Sequence, residues 1–451
     1  MCIVMGSDTA PIPSLRQAPD VSCNLEPSLL INRNMKKLNY LFCFIILVLF
    51  YSCDSKNKTE FYLPAEWEPQ SGVIVGGLED TASFEMVSEL AREMKVFCLV
   101  SDSTMATYKK KLSAVGVNLD SIQFLTSATE FSYAQRDGII FLKNGIGEKK
   151  LVNFAWNMYG WYFDSTIKNY IDKDKKKREL YTSVHLKAFP YPVITSSMVN
   201  EGGAIETNGK GTILQVESVN MHRNPTMSKE LQETELKKVL NVKKIIWLKE
   251  GAAEDPSGWG TLITENYFGI GVKGHLDEFC RFVDENTILI SFPDSLEAAI
   301  DPVKKITLER MKINYEILKN ATDQDGKPFT IVKMPVPDID YMTFALDTVS
   351  KNNEIKFLSQ QILFEQKRFS VGDTVHFVPS SSYLNFLITN KTVFEAKYWT
   401  EGQPASSKAK DEKAKQILQH YFPDKKIHQI NTAKTNHNGG GLHCWSMQIP
   451  K

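Results

Sequence analysis

Near the end of the chain, the segment HNGGGLHCWSMQ (437–448) sets Cys444 just behind three consecutive glycines. Glycine lets backbone pass close to a bound group because no side chain stands in the way, so a thiol on such a loop can reach a ligand. Far upstream, five polar residues stand at the heads of apolar, strand-like segments: Asp137, Glu201, His275, Asp277 and Asn385. Three carboxylates, an imidazole and a thiol, brought together, make a particular tool. Carboxylates accept the N–H donors of a planar cation in bidentate fashion. A thiolate attacks the electron-poor carbon so presented, and a histidine moves protons to and from the leaving nitrogen. The chemistry implied is hydrolysis of a guanidinium group through a covalent thiouronium. Cationic charge from the ligand or from His275 would favour the thiolate.

Each residue alone has a plainer reading. An isolated Cys444 is a small core residue. Asp137 beside Arg136 is a surface ion pair worth under about 1 kcal/mol. Glu201 satisfies the backbone donors of the Gly-Gly turn that follows it. His275 and Asp277 are two metal ligands completed by His437 or His443, although no helical HExxH accompanies them. His443 adjoins Cys444, but neighbours on an extended chain point opposite ways, which makes His443 structural.

The elements that must position these residues read as follows. Apolar segments at 72–75, 95–100 and 121–126 are strands, and 83–94 and 105–116 are helices, the second stopped at Gly116. Cys98 lies within the second of those strands and reads as core. Arg136 and Asp137 immediately precede a strand at 139–142. The run KDKKKRE (173–179) is a solvated surface segment. Glu201 opens a Gly-Gly turn that leads through NGKG, a hairpin signal, into a strand. Helices at 228–240, 295–319 and 408–422 feed further strands, and Cys280 sits on one of them as core.

GTILQVE, NTILISF and KTVFEAKY, at 211, 286 and 391, are three Thr-led strands, each preceded by a short segment carrying one of the polar residues. They read as copies of one strand–turn–strand module, with the strand after Asp137 and the terminal loop as more distant copies. Such copies imply a pseudo-symmetric α/β assembly, not a doubly wound sheet. No GxGxxG or Walker pattern opens a helix, so no phosphate-cradling loop is expected.

The chain has 451 residues, with 53 basic and 53 acidic side chains. That balance gives no electrostatic reason to expect nucleic acid or an anionic membrane surface as a partner. Met35 begins a stretch in which Lys36 and Lys37 precede an apolar run, Leu41 to Phe50. The run is too short to span a membrane and suits a secretory signal. It ends in Leu49-Phe50-Tyr51-Ser52-Cys53, which is similar to a lipoprotein acylation site, with Tyr51 departing from the usual small residue. The expected organisation is therefore an upstream extension plus a lipoprotein-type signal peptide over 1–53, a tether over 54–60 and one domain over 61–451. Acylation at Cys53 would make the protein an exported, membrane-anchored bacterial lipoprotein that meets the membrane only through its lipid. Of seven cysteines, only Cys98, Cys280 and Cys444 fall in the globular part, too few for a disulfide framework.

EWEPQSGV, RDG, EGGAIETNGKGT, GHLDEFCRF, SYLNF and HNGGGLHC, in this order over residues 60–451, resemble the signature blocks of the agmatine deiminase and bacterial peptidylarginine deiminase family. The resemblance implies a five-bladed α/β propeller (pentein) of ββαβ modules. It implies Cys444 as nucleophile, His275 as general acid and base, and Asp137 and Asp277 as the pair gripping the guanidinium. Glu201 and Asn385 would shape the pocket, no metal or organic cofactor is implied, and the substrate is a small-molecule or peptide guanidino compound. The family's Trp-x-Arg-Asp block departs here, because Ala134 stands where the tryptophan is expected. Tyr133, Trp156 or Trp161 must then supply the aromatic wall. No arginine lies between Asp137 and Arg178 to clamp a substrate carboxylate, which favours an amine such as agmatine. Exported placement pulls towards peptidyl-arginine. The alternatives are an amidinotransferase of the same fold, a membrane-tethered guanidino-binding protein without turnover, and a metal hydrolase.

Overall fold

The computed structural model describes residues 58–128, 136, 138–160 and 168–451, with backbone alone at 168–175 and 177. Six small sheets hold the strands of the described residues, and none is a long doubly wound sheet.

Three of the sheets repeat one plan. Glu206–Thr207 pairs antiparallel with Thr212–Val216, which pairs parallel with Lys244–Leu248. Cys280–Phe282, Thr287–Ser291 and Thr330–Met334 do the same. So do Leu387–Ile388, Thr392–Lys397 and Lys426–Asn431. The Thr-led strands are the central strands of these sheets. A central strand is covered on both faces, which explains continuous apolar runs such as Thr287–Ser291, buried at every position. The parallel return needs a crossover, supplied by helices Lys229–Leu240, Pro302–Lys319 and Ala405–Tyr421.

Two more sheets follow the plan. Ile140–Lys143 is antiparallel to Lys149–Ala155, which is parallel to Val193–Val199 beyond helix Lys168–Ala188. The chain's last strand, Ser446–Pro450, lies antiparallel to its first, Gln70–Val75. That first strand is parallel to Lys95–Ser101, which is in turn parallel to Ile122–Ser127. The ββαβ order thus recurs five times among the described residues.

The sixth sheet departs from it. Hairpin Ser257–Thr264/Tyr267–Val272 joins Thr374–Val378 and Met342–Ala345 in a four-stranded sheet covered by helix Asn353–Glu365. No sequence signal announces it, because glycines at 258, 260, 269 and 271 and the polar insertions around 350 and 370 mask its apolar alternation.

Helix starts follow local chemistry. Asp80 accepts the N–H groups of Ala82 and Ser83. Asp301 caps Val303 and Lys304 ahead of Pro302, which breaks the helical stretch expected over 295–319 into 295–300 and 302–319. Each such cap contributes about 1 kcal/mol. Cys98 and Cys280 are fully buried, as expected for core. One expectation needs correction. The run 173–179 lies in a helix with Lys176 exposed, but Arg178 is buried and its Nη2 donates to the Gly138 carbonyl at 2.6 Å. Its guanidinium cannot be counted as surface charge.

Candidate functional site

In four of the five ββαβ sheets, the segment entering the first strand carries one or two of the polar positions singled out in the sequence. Glu201 precedes strand 206–207, His275 and Asp277 precede 280–282, Asn385 precedes 387–388, and Cys444 precedes 446–450. Asp137 precedes 140–143 in sequence but lies outside the described residues, as do Tyr133, Ala134, Trp161 and Cys53. Arg136, the neighbour of Asp137 in sequence, is buried and donates from Nε to the His443 carbonyl at 3.2 Å.

Cys444 is half-buried, the other site residues fully so. Its Sγ lies 3.0 Å from Asn385 Nδ2, 3.4 Å from Asp277 Oδ2 and 3.6 Å from Glu278 Oε1. Asn385 Oδ1 accepts the backbone N–H groups of His443 and Cys444 at 2.9 and 3.3 Å, which fixes the loop behind the glycines. Gly441 must be glycine for this, because a Cβ there would stand 2.7 Å from Asn385 Oδ1.

His275 is the N-cap of a one-turn helix, Leu276–Phe279, that carries Asp277 and Glu278. Its Nε2 lies 3.3 Å from Glu201 Oε2, and the other Glu201 oxygen takes Arg223 Nε at 2.8 Å. Gly203 backs onto the same place: a Cβ there would meet His275 Nδ1 at 2.6 Å and Asp277 Oδ2 at 3.1 Å. Glu201, His275, Asp277, Asn385 and Cys444 are therefore one linked cluster, drawn from positions 243 residues apart in the chain (444 minus 201).

Around this cluster the structure adds Glu66, Arg281 and Tyr159, which the sequence did not single out. His443 donates nothing towards the thiol, because Nδ1 sits 2.8 Å from Asp277 Oδ2 and Nε2 2.8 Å from Glu66 Oε2. That arrangement agrees with a structural His443 and leaves it no nitrogen for a metal. His437 instead stacks near Phe377 at 6.3 Å, so the histidine set of the metal reading is not assembled. Beneath His443, Glu66 also pairs with the fully buried Arg281 at 2.7 Å. Arg281 binds Glu206 as well and donates to the Leu384 and Phe386 carbonyls. A buried charge needs such pairing to be tolerated at all. Trp156 reaches the site at one remove: its ring meets Tyr159 edge-on at 5.6 Å, and Tyr159 meets His275 at 5.9 Å. Tyr159 has φ of +55°, a conformation that neighbouring structure must hold in place.

Electrostatics sort these groups. Burial pushes the Cys444 thiol well up, and Asp277 and Glu278 push it further. Burial, Asp277 and Asp255 likewise hold the Glu278 carboxyl well above the usual range. Burial also works against ionised Asp277, but His443 and His275 outweigh it and keep that carboxylate below the usual range. Asp277 Oδ1 is buried and has no hydrogen-bond partner among the described residues. A buried acceptor left unsatisfied is costly, and its natural complement is an N–H-bearing cation. Such a cation, about 4 Å from a carboxylate, gains on the order of 4 kcal/mol at an effective dielectric of 20, and its charge opposes the repulsion that Asp277 exerts on an ionised thiol.

The pattern of the Porphyromonas-type peptidyl-arginine deiminases matches residues 62–450. An agmatine deiminase of Pseudomonas syringae pv. syringae is 26% identical over 413 residues, covering 86% of this chain and 95% of its own. The solved agmatine deiminase of Enterococcus faecalis superposes with a TM-score of 0.63 at 23% identity, over 87% of this chain and 96% of its own. A C. jejuni agmatine deiminase with a Cys-to-Ser substitution and substrate bound gives a TM-score of 0.61 at 20% identity, over 87% and 97%.

Proposed function

The chain belongs to the Porphyromonas-type peptidyl-arginine deiminase family, and from that premise we propose that it is a cysteine hydrolase releasing ammonia from a guanidino compound. Relatives named agmatine deiminases act on C–N bonds of linear amidines, and agmatine is the first substrate to try. The observation that carries the reading is the Cys444 thiol at 3.4 Å from Asp277, beside an Asp277 oxygen with no partner among the described residues.

In this reading the guanidinium donates to Asp277 Oδ1 and to the carboxylates expected around it, with Asp137 as the second gripping group. Its charge lowers the cost of ionising Cys444. The sulfur adds to the central carbon, forming an S–C bond. His275, held by Glu201, protonates one nitrogen, and the C–N bond breaks to release ammonia and leave a thiouronium. Water then loses a proton to His275 and adds to that carbon. Collapse breaks the S–C bond as the hydroxyl gives up its proton to solvent, returning the thiolate and giving a ureido product. Trp156, acting through Tyr159, and Tyr133 would supply the aromatic wall absent at Ala134. The engagement of Arg178 with Gly138 leaves it poorly placed to hold a substrate carboxylate, which supports an amine substrate.

The five ββαβ sheets would close around one axis as a five-bladed propeller, with the pairing of the last strand to the first as the join. The N-terminal segment would be processed at Cys53 and acylated, tethering the enzyme outside the cytoplasm. Incorporation of an alkyne-tagged fatty acid into the full chain, lost in Cys53→Ser, tests the tether. The activity itself is tested by measuring ammonia and ureido product with agmatine, free arginine and arginyl peptides. Well-folded protein that releases neither from any of them would overturn the reading.

A further inference from the structure

The hairpin of the sixth sheet, 257–272, leaves the chain at Asp255 and returns it at Gly274-His275, and its two ends are tied together. The carboxylate of Asp255, itself buried, accepts N–H groups from Val272 at 2.5 Å, Gly274 at 2.9 Å and His275 at 2.8 Å. Backbone meets backbone alongside: a Cβ on Gly251 would lie 2.2 Å from Gly274 Cα, and one on Gly271 would lie 2.1 Å from Asp255 Oδ1. Lys273 and Gly274 both have positive φ, 78° and 94°, so the turn that delivers His275 is held in a conformation that short-range preferences do not supply. Helix propensity and strand pairing leave these three N–H groups over, and one side chain takes them all.

We infer that Asp255 is a positioning residue for the deiminase reaction. It fixes the turn 272–275 so that the His275 ring stands between Glu201 and the Gly203 backbone. Burial raises the Asp255 carboxyl and the nearby His275 charge opposes that rise, so an ionised Asp255 in turn favours the charged ring. The inference rests on the function proposed above, in which His275 carries protons. Among the described residues, the charged groups facing His275 include Glu201 with its partner Arg223 from the neighbouring loop and helix, Asp277 on its own helix, and Asp255 from the hairpin base. Tyr159 adds an uncharged aromatic edge. Of these, Asp255 alone binds the backbone of His275. Its replacement by Asn keeps the shape, but removes the charge and one of the two acceptor oxygens.

The test compares Asp255→Asn with the parent full-length chain on agmatine and follows histidine side-chain nitrogen resonances through a pH titration, with His275→Gln identifying the His275 signal. Expected are a kcat at least about tenfold lower per folded molecule and a KM within about threefold. The His275 midpoint should move to lower pH, and with it the kinetic limb it controls. An unchanged His275 midpoint with unchanged kcat overturns the proposal. So does an activity loss that only follows the folded fraction. Should the variant not fold, amide hydrogen exchange in the parent decides: slow exchange at Gly274 and His275 is expected, and exchange at solvent rates overturns it. If the parent turns over no guanidino compound, the function reading fails, while the titration still decides whether Asp255 governs His275.

Discussion

The side-chain amide of Asn385 holds Cys444 at both ends, its Nδ2 at 3.0 Å from the sulfur and its Oδ1 accepting the Cys444 backbone N–H at 3.3 Å. One uncharged side chain thus fixes the loop and supplies a donor to the thiolate. Asn385→Ala leaves the buried Cys444 N–H without its acceptor, a cost of about 1–3 kcal/mol for such a group, and the His443 N–H with the Asn385 main-chain carbonyl alone. Thermal unfolding should come earlier and turnover should fall. Asn385→Asp keeps the acceptor but adds charge beside sulfur. It should retain more of the parent's melting temperature while losing turnover at least as severely. Equal turnover in parent and Asp variant would show that the donor is irrelevant.

Thiol chemistry gives a second prediction. Burial and the neighbouring Asp277 and Glu278 push the Cys444 thiol up, so alkylation by iodoacetamide at neutral pH should be slow and should accelerate as pH rises. Asp277→Asn removes one repelling charge, and each unit by which the thiol's pKa falls gives about tenfold faster alkylation below that pKa. The same variant loses a guanidinium acceptor, so its turnover should drop by about a hundredfold or more. Faster alkylation with slower turnover is the signature. Slower alkylation in the variant would contradict the electrostatic account.

Glu201 is one of the buried carboxylates that make stability sensitive to acid. Burial pushes its pKa up, but Arg223 and His275 outweigh this and hold it at about 2, against 4.5 unperturbed. A carboxyl depressed on folding contributes stability that is complete above its unfolded pKa and is lost as pH falls through the folded one. The Glu201 contribution should therefore fade between roughly pH 4.5 and 2. Glu201→Gln should flatten the decline of unfolding free energy over that window. It also strands Arg223, a change that costs about 3–5 kcal/mol when one member of a buried pair is removed. An unaltered slope in chemical denaturation across that window would assign the acid sensitivity elsewhere.

Gly203 offers a purely steric probe. A methyl at this position would stand 2.6 Å from His275 Nδ1, well inside contact distance. Gly203→Ala should lower kcat at least about tenfold through displaced geometry. Ala at a comparably buried glycine outside the site should affect stability alone. Full activity in Gly203→Ala would mean that His275 does not work from this position.

What the sequence made legible follows from where its signals are local. Thr-led apolar runs such as Thr287–Ser291 announce central strands because both their faces are buried. The polar heads of the modules could be picked out because each stands alone before such a run. Glu66 and Arg281 could not: their importance lies in partners more than 200 residues away, a separation no spacing rule encodes. Asp255 was hidden for a similar reason, since the hairpin of the sixth sheet separates it from His275. Arg178 misled because it sits in a lysine-rich run, and only the fold shows that its side chain turns inward.

The account stands on Cys444 as the atom that attacks. Its most direct measurement is ammonia and ureido product released from agmatine by the parent and by Cys444→Ala, both confirmed folded. The account predicts stoichiometric release of the two products by the parent and a loss of at least about a thousandfold in the variant. A variant that keeps a substantial share of the parent's turnover would show that the sulfur takes no part in bond formation.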